Sequence, residues 1–551
     1  LKPDFAEGYN NLGTILINLG NLKEAEILQR KAIKLKPDFA EAYHNLSNIL
    51  IDNNKLKEAE IITRKTIELK PRFANAHFNL GNILIDLGKL KDAELSFLKA
   101  IELKTDFAEA YYNLGTIQKE LGKYKEVELS FRKSIEINPN FAEAHNNLGI
   151  FMEDLDNMKE AELFYRNAIK IKPDYAEAHY NLGNIFIELD KLEDAEISMT
   201  KAIQINNNFA EAHNNLGLIL LDLNKLKEAE ISTMRAIQIK PEFAKAYNNL
   251  ANIQKEIGKI EEAKLSQLNA IKFNPESEEL NYNMGIIYNE LGNIEKSIEF
   301  YKKSIDLNPN QPSVVIELIY QLSKISDWDE IYKYQVPFEK LISVDPFKVL
   351  TFDDSPQNNY ERSINYYTKR YKVKSIPINR SIKDKIHIGY FSADFRDHPV
   401  SYIISSILRF HDKSRYKIYL YYFGDKEDIY TEKLKEIGCT FRNIHKFNDL
   451  DIVNLARNDH LDIAVDLMGY TQNNKMKIFS YRIAPIQINY LGYPGTSGCK
   501  EMDYILADKI IIPKKLFKFY IEEVIYLPHC YMPYDNNTKI SNKKFTRTDF
   551  H

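Results

Sequence analysis

The sequence predicts an α-helical solenoid followed by an α/β, Rossmann-like domain. Three observations carry this. A 34-residue period runs through the first 310 residues. The periodic pattern fades after about Leu322. From Lys385 onward, short apolar runs alternate with amphipathic helical segments.

The period comes first. "LKPDFAEGYNNLGTILINLGNLKEAEILQRKAIK" (1–34) recurs as "LKPDFAEAYHNLSNILIDNNKLKEAEIITRKTIE" (35–68). Further copies begin at Leu69, Leu103, Ile137, Ile171, Ile205, Ile239 and Phe273, which makes nine, with a decayed tenth from Leu307. Each copy reads as two amphipathic helices. Tyr9, Leu12 and Leu16 share a face of the first helix, and Ala25, Leu28 and Ala32 share a face of the second. Small residues stand where the two helices must approach closely: Gly13, Gly81, Gly115, Gly149 and Gly183 in the first, Ala25, Ala59, Ala93 and Ala161 in the second. Gly20-Asn21 turns the chain between them, and Pro37 stops the second helix. Such a unit cannot bury its apolar face alone, so stacking gives a solenoid with a long concave groove. A 34-residue repeat with this pattern resembles the tetratricopeptide repeat.

One polar column runs through the repeats. Asn11, Asn45, Asn79, Asn113, Asn147, Asn181, Asn215, Asn249 and Asn283 occupy the same place in all nine copies, and the tenth has Glu317 there. An amide offers a donor and an acceptor. The column therefore suits an extended peptide backbone, or else it bonds a neighbouring helix.

The α/β part is expected to hold strands at 385–392, 417–423, 461–468, 486–492, 503–508 and 523–529, with helices at 428–438 and 450–458 between the earlier ones. Apolar strands alternating with helices argue for a parallel sheet covered on both faces. In such sheets ligands collect at the carboxyl ends of strands. "ADFRDHPVS" (393–401), "GYTQNN" (469–474) and "GYPGTSG" (492–498) each follow a strand. If those strands are neighbours, the three segments line one crevice. "GYPGTSG" is neither a dinucleotide fingerprint nor a P-loop, because its glycines are spaced by three and Lys500 follows Cys499. Gly495 and Gly498 can let backbone amides approach a ligand.

Bulk properties exclude several classes. A net charge of −4 argues against a general nucleic-acid binder. The basic "KKLFKF" (514–519) reads as a solvated edge rather than an RNA site. The three cysteines, Cys439, Cys499 and Cys530, show neither metal-ligand nor disulfide spacing, which fits a reducing, cytoplasmic compartment. No apolar run is long enough to span a membrane. Because the chain opens on Leu1, its natural start is expected to lie upstream.

Repeats followed by "HIGYFSADFRDHPVS", "VDLMGYT", "APIQINYLGYPGTSG" and "MDYILAD", in that order, resemble the protein O-linked N-acetylglucosamine transferase family with its SPINDLY-type relatives. The resemblance covers the whole chain, and the "APIQINYLGYPGTSG" block is its most diagnostic part. It implies a two-lobed (GT-B type), metal-independent, inverting glycosyltransferase with no cofactor. The donor would be UDP-N-acetylglucosamine and the acceptor a Ser or Thr of a protein held by the asparagine column. It also implies a homodimer through the repeats. The family's "DFxxHP" histidine is His398 here, placed near sugar and acceptor with Pro399. An aspartate before the "GYT" strand has been linked to proton removal in the family, and Asp459 aligns with it. Vertebrate members carry a histidine where this chain has Asp462. Gly469, Tyr470, Thr471, Gly495, Thr496 and Ser497 would wall the sugar and acceptor cleft, with Thr496 and Ser497 as hydroxyl partners.

The domains read as repeats at 1–324, a connector at 325–380, a first catalytic lobe at 381–535 and the start of a second lobe at 536–551. The family's diphosphate-binding lysine belongs to that second lobe and has no counterpart here. The chain is thus expected to be an incomplete enzyme that binds protein but transfers little sugar by itself. Two rival readings stay open: a non-enzymatic tetratricopeptide scaffold, and a fucosyltransferase using GDP-fucose.

Overall fold

A computed structural model describes residues 4–334, 342, 344–350, 353–371, 383–471 and 473–533. The expected start of a second lobe, 536–551, lies outside them. Two compact units divide at Pro275/Glu276.

The first unit is eight helical hairpins, from Ala6–Asn18 with Leu22–Leu35 to Ala244–Ile257 with Ile260–Phe273. Every hairpin turn contains one residue in the left-handed region: Gly20, Asn54, Gly88, Gly122, Asp156, Asp190, Asn224 and Gly258, with φ between 56° and 87°. Only Gly, Asn and Asp fill the place, because their side chains tolerate that backbone. In six of the eight hairpins the helices touch at a glycine, Ser47 and Ala251 standing there in the second and eighth. A Cβ on Gly81 would lie 2.6 Å from the Phe97 ring, and one on Gly149 would lie 2.7 Å from Tyr165. Ala25, Ala59, Ala93 and Ala161 are fully buried, as the pattern predicts. Leu12 is 37% exposed whereas Leu46 is buried, because no repeat precedes the first among the described residues. Successive repeats are also pinned by ion pairs of constant spacing, such as Lys55–Glu26 (3.0 Å), Lys123–Glu94 (2.6 Å) and Lys259–Glu230 (2.8 Å). Each contributes little alone; their regular recurrence fixes one rotation per repeat.

The second unit opens with the ninth hairpin, Glu278–Glu290 and Ile294–Leu307, then Pro312–Lys324 for the decayed tenth copy. These helices group with the α/β part rather than with the eight hairpins, so the compact boundary falls earlier than 324. The reason is local. Val314, Leu318 and Leu322 pack on Ile298 and Tyr301, and Glu317 pairs with Lys348 of the connector.

The sheet has seven parallel strands: β1 Ile386–Ser392, β2 Tyr416–Tyr422, β3 Thr440–Asn443, β4 Ile463–Asp466, β5 Ile486–Asn489, β6 Tyr504–Ala507 and β7 Glu523–Tyr526, in the order β3-β2-β1-β4-β5-β6-β7. Ile418, Ile388, Ile463 and Ile486 form one row across its middle. On one face Phe391 stacks on Tyr421 (4.3 Å) beneath helix Asp449–Asn458. On the other, Ile388, Tyr390 and Leu420 pack under Ile404 and Leu408 of helix Pro399–Phe410. Six strands match the sequence expectation. The seventh, β3, is a short edge strand, Thr-Phe-Arg-Asn, whose one apolar residue is Phe441, so it carries no apolar run.

His145, His179 and His213 occupy one place in adjacent repeats. Their Nε2 atoms lie 3.1, 3.1 and 3.3 Å from the carbonyls of Pro139, Pro173 and Asn207. Burial holds all three imidazoles below the ordinary histidine range. A base whose folded pKa is depressed stabilises the fold above its unfolded pKa, about 6.5, and loses that contribution as pH falls below it. The melting temperature should therefore fall as pH is lowered from 7 to 5. The triple variant His145→Tyr/His179→Tyr/His213→Tyr, using the residue that Tyr9, Tyr43 and Tyr111 already place there, should flatten that drop in calorimetry.

Candidate functional site

β1, β4 and β5 are adjacent in the sheet, so the three polar segments leave from one edge. Two buried carboxyl groups build most of that edge.

At the exit of β1, Ser392 Oγ accepts the Asp394 N–H (2.9 Å) and lies 3.4 Å from Met468 Sδ of the neighbouring exit. The loop is fastened to the next helix: Thr431 Oγ1 donates to the Phe395 carbonyl (2.8 Å), and the Asp397 N–H donates to the Asp428 carboxylate (2.6 Å). His398 caps helix Pro399–Phe410, with Pro399 at its first position. Its Nδ1 accepts the Val400 N–H (3.2 Å), and Asp394 lies 3.7 Å from the same atom. A neutral ring bonded this way carries its proton on Nε2. His398 is 36% exposed, so this N–H is a donor on an accessible side chain.

At the exit of β4, Asp466 is fully buried and accepts the N–H groups of Met468 and Gly469, both at 3.0 Å. Burial pushes its carboxyl up to about 7, against the pull of those two bonds. Gly469 has φ +58°, and a Cβ there would lie 2.3 Å from Tyr493 Cβ. Tyr470 is buried; its hydroxyl donates to the Ser497 carbonyl, and its ring meets Tyr366 and Tyr493 edge-on. Thr471 is half-buried and donates to the Met468 carbonyl (2.9 Å).

At the exit of β5, Glu522 holds the "GYPGTSG" loop. Its buried carboxylate accepts Thr496 Oγ1 (2.6 Å), the Ser497 N–H (2.7 Å) and Ser497 Oγ. Burial pushes this carboxyl up, opposed by those same bonds. Tyr520 Oη adds a bond to the Pro494 carbonyl (2.9 Å). Gly498, at φ +65°, abuts helix Pro356–Arg370, where a Cβ would lie 2.4 Å from the Ser363 carbonyl oxygen.

Several expectations are corrected here. Thr496 and Ser497 are buried and spend their hydroxyls on Glu522, so they are not hydroxyl partners for a sugar. The backbone that Gly498 admits is the protein's own helix, and Gly495 lies against the Tyr493 ring. Tyr470 braces the loop from beneath. Asp459 stands apart: it ends helix Asp449–Asn458 before β4, and its carbonyl is 2.8 Å from the ring of His387 at the start of β1. That is the amino end of the sheet. Its carboxylate is taken by Tyr421 Oη (2.7 Å) and by Arg442 Nη2 and Nε (2.7 and 3.2 Å). His398, Pro399, Thr471 and Gly495 remain as the residues with access to solvent. Asp466 and Glu522 were missed. Asp466 sits inside an apolar strand run, and Glu522 meets its loop 25 residues away in sequence, so neither leaves a local signal.

The asparagine column is bonded from repeat to repeat. Asn45 Nδ2 donates to Asn10 Oδ1 (2.9 Å), Asn79 to Asn48 (2.6 Å), Asn113 to Asn82 (2.8 Å), Asn181 to Asn146 (3.1 Å) and Asn249 to Asn214 (2.8 Å). Asn147 and Asn215 reach the hydroxyls of Tyr112 and Tyr180. Asn11 is exposed in the first repeat, and Asn283 lies in the second unit. Among the described residues no group of three or more His, Cys, Asp or Glu is placed to hold a metal, and no helix is long and apolar enough to cross a membrane.

Comparison with known proteins agrees with this architecture. Residues 366–546 match the family model "Glycosyl transferase family 41". Tetratricopeptide repeat models match within 6–311, including 6–39, 40–73, 108–141 and 176–209. The Arabidopsis thaliana "Probable UDP-N-acetylglucosamine--peptide N-acetylglucosaminyltransferase SPINDLY" is 36% identical over 27% of this chain and 17% of its own length. The Arabidopsis protein of the same description named SEC is 27% identical over 40% of this chain and 25% of its own. Among solved structures, a point mutant of Thermobaculum terrenum O-GlcNAc transferase is 22% identical, covers 59% of this chain and 58% of that one, and has a TM-score of 0.39. The molecule is thus a tetratricopeptide-repeat protein carrying a glycosyltransferase-type domain. Its residues 366–546 are similar to glycosyl transferase family 41, and the curated relatives it resembles are described as UDP-N-acetylglucosamine--peptide N-acetylglucosaminyltransferases. The aligned part spans a quarter or less of the curated relatives' length.

A carboxyl whose folded pKa is raised stabilises the fold most at low pH and loses that contribution as pH rises through the folded value. For Asp466 the window runs from about 4 to about 7. Asp466→Asn should remove this slope, so the difference in melting temperature between wild type and variant should change steadily across that window. Glu522→Gln replaces an acceptor facing three donors with an amide. Hydrogen exchange at the Ser497 amide should then accelerate at least tenfold while the sheet amides of β1 and β4 stay protected.

Proposed function

We propose that this chain supplies the protein-binding repeats and the acceptor-side lobe of a transferase that moves N-acetylglucosamine from UDP-N-acetylglucosamine to Ser or Thr hydroxyls. The acceptor oxygen bonds to the anomeric carbon from the face opposite the diphosphate. The bond from that carbon to the diphosphate oxygen breaks, UDP departs, and the hydroxyl proton passes to solvent or a base.

The observation that carries this reading is His398. It is an accessible imidazole whose orientation is set by a helix cap, at a sheet edge whose other loops are held by buried carboxyl groups. Its Nε2–H suits a hydrogen bond to a sugar or acceptor oxygen better than proton removal, because Nδ1 is already spent as an acceptor. Preorganised donors of this kind lower the barrier without reorganising during the reaction. Thr471 and the Gly495 backbone would contact the same substrate. The leaving diphosphate needs cationic or N–H partners as well.

The asparagine column supports acceptor binding. Each bonded amide is fixed by its Nδ2, and the Oδ1 atoms of the half-buried Asn45, Asn79, Asn113 and Asn181 accept no hydrogen bond among the described residues. An oriented row of acceptors matches the N–H groups of an extended peptide.

Two measurements test the reading. Replacing Asn45, Asn79, Asn113 and Asn181 together with Ala should weaken peptide affinity at least tenfold while far-UV circular dichroism still reports folded repeats. Unchanged affinity would leave only the packing role. His398→Asn keeps a good helix cap whereas His398→Ala costs about 1 kcal/mol of it. Both should depress transfer to protein by the natural enzyme at least a hundredfold, and transfer that survives in either variant removes His398 from the site.

A further inference from the structure

The loop between β6 and β7 is not used by the proposed activity, and its charge is unlike that of the whole chain. From 509 to 521 it carries four lysines and no acid, in a chain whose net charge is −4. Lys509, Lys514, Lys515 and Lys518 are all exposed, and among the described residues none of them forms an ion pair. The two carboxylates that bracket the loop do not neutralise it, because both are buried and spent within the fold. Asp508 accepts the N–H groups of Ile510 and Ile511 (both 2.8 Å) and of Tyr531 (2.7 Å), and Glu522 holds Thr496 and Ser497.

Apolar side chains stand among these cations. Ile510 is 86% exposed, more than any other large apolar residue among the described ones, and Ile511 beside it is 40% exposed. The fold itself presents them. The Asp508 carboxylate fixes the turn that carries them, and the next residue, Ile512, is buried, its carbonyl accepting Tyr526 Oη (2.7 Å). The short 3₁₀-helix Lys514–Phe519 is anchored in the same way, with Leu516, Phe517 and Tyr520 packed against Ile505, Ala507 and Ile512. Residues three apart eclipse in such a helix, so Lys515 and Lys518 stand on one side. Phe517 and Tyr520 are turned to the core and offer bases no stacking platform, which disfavours a nucleic acid.

The loop borders the candidate cleft. β6 neighbours β5, so Lys509, Ile510 and Ile511 leave the sheet at its carboxyl edge. Two hydrogen bonds join the far end of the loop to 492–498: Tyr520 Oη donates to the Pro494 carbonyl (2.9 Å), and the Ile521 N–H donates to Thr496 Oγ1 (3.3 Å). A polypeptide whose hydroxyl lies in the cleft has this surface beside it, whereas a bilayer laid on Ile510 would close the same edge to the acceptor. Lysines without ion pairs attract carboxylates across an interface, and exposed aliphatics attract aliphatics. We infer that Lys509, Lys514, Lys515 and Lys518, with Ile510 and Ile511, dock an acidic, leucine-bearing stretch of the acceptor protein next to the residue that is modified. This rests on the acceptor reading for its occupant; affinity can be measured without any transfer.

In fluorescence anisotropy with the 551-residue chain, a labelled peptide of alternating Asp and Leu around one Ser should bind about tenfold more tightly than its Asn counterpart, because each exposed pair contributes little and several act together. The advantage should shrink as salt is raised. Lys515→Glu/Lys518→Glu should erase it with an unchanged melting temperature, whereas Lys417→Glu/Lys446→Glu, the same change of charge elsewhere on the domain, should keep it. Ile510→Ser should weaken both peptides alike. Equal affinity of the wild type for the two peptides, an Asp advantage that survives Lys515→Glu/Lys518→Glu, or its equal loss in Lys417→Glu/Lys446→Glu overturns the proposal. So does capture of phosphatidylserine vesicles that Lys515→Glu/Lys518→Glu loses while its peptide binding stays unchanged, which would make the surface a membrane contact. Loss of the asparagine column lowers both affinities together, because backbone contacts do not tell Asp from Asn, so failure of the acceptor reading is a separate result.

Discussion

Contacts too close for a Cβ set the geometry of both units. In the repeats, Gly81 and Gly149 let a ring on the second helix reach the backbone of the first. At the sheet edge, Gly492 lies under the Leu467 carbonyl, where a Cβ would sit 2.2 Å from the oxygen, and Gly469 lies against Tyr493. An interior this tight transmits displacement instead of absorbing it. The hairpin angle, and hence the path of the solenoid, follows from the first pair of contacts. The fit between the β4 and β5 exits follows from the second.

Glycine brings the two exits together, and charge fixes them there. Asp466 and Glu522 are buried carboxyl groups, which are costly unless satisfied. Asp466 is satisfied by two backbone N–H groups of the loop it holds, and Glu522 by one N–H and two hydroxyls. The loops are thereby tied down by the fold's own groups. His398 follows the same logic from outside the core: helix Pro399–Phe410 needs an acceptor at its start, and meeting that need decides which ring nitrogen keeps the proton.

What the sequence made legible was whatever repeats or alternates. The hairpins, their glycine contacts, the asparagine column and six of the seven strands all come from patterns within a few residues of each other. β3 escaped because an edge strand need not be apolar, and helix Pro399–Phe410 escaped because "DFRDHPVS" reads as a polar loop. The partners of Thr496, Ser497 and Asp459 were not legible. Glu522 and Arg442 reach them across the fold, and a hydroxyl in a glycine-rich loop looks the same whether it faces a ligand or a buried carboxylate.

The hairpin turns and the lysine–glutamate pairs use the same chemistry at six of the seven junctions of the first unit, Asn157 standing in the lysine's place at the other. Any repeat can therefore follow any other without new side chains having to evolve at the seam. Recombination between such similar stretches of coding sequence can add or remove whole multiples of 34 residues while preserving every interface. The number of repeats, and with it the reach of the array, is then free to change faster than the residues within a repeat.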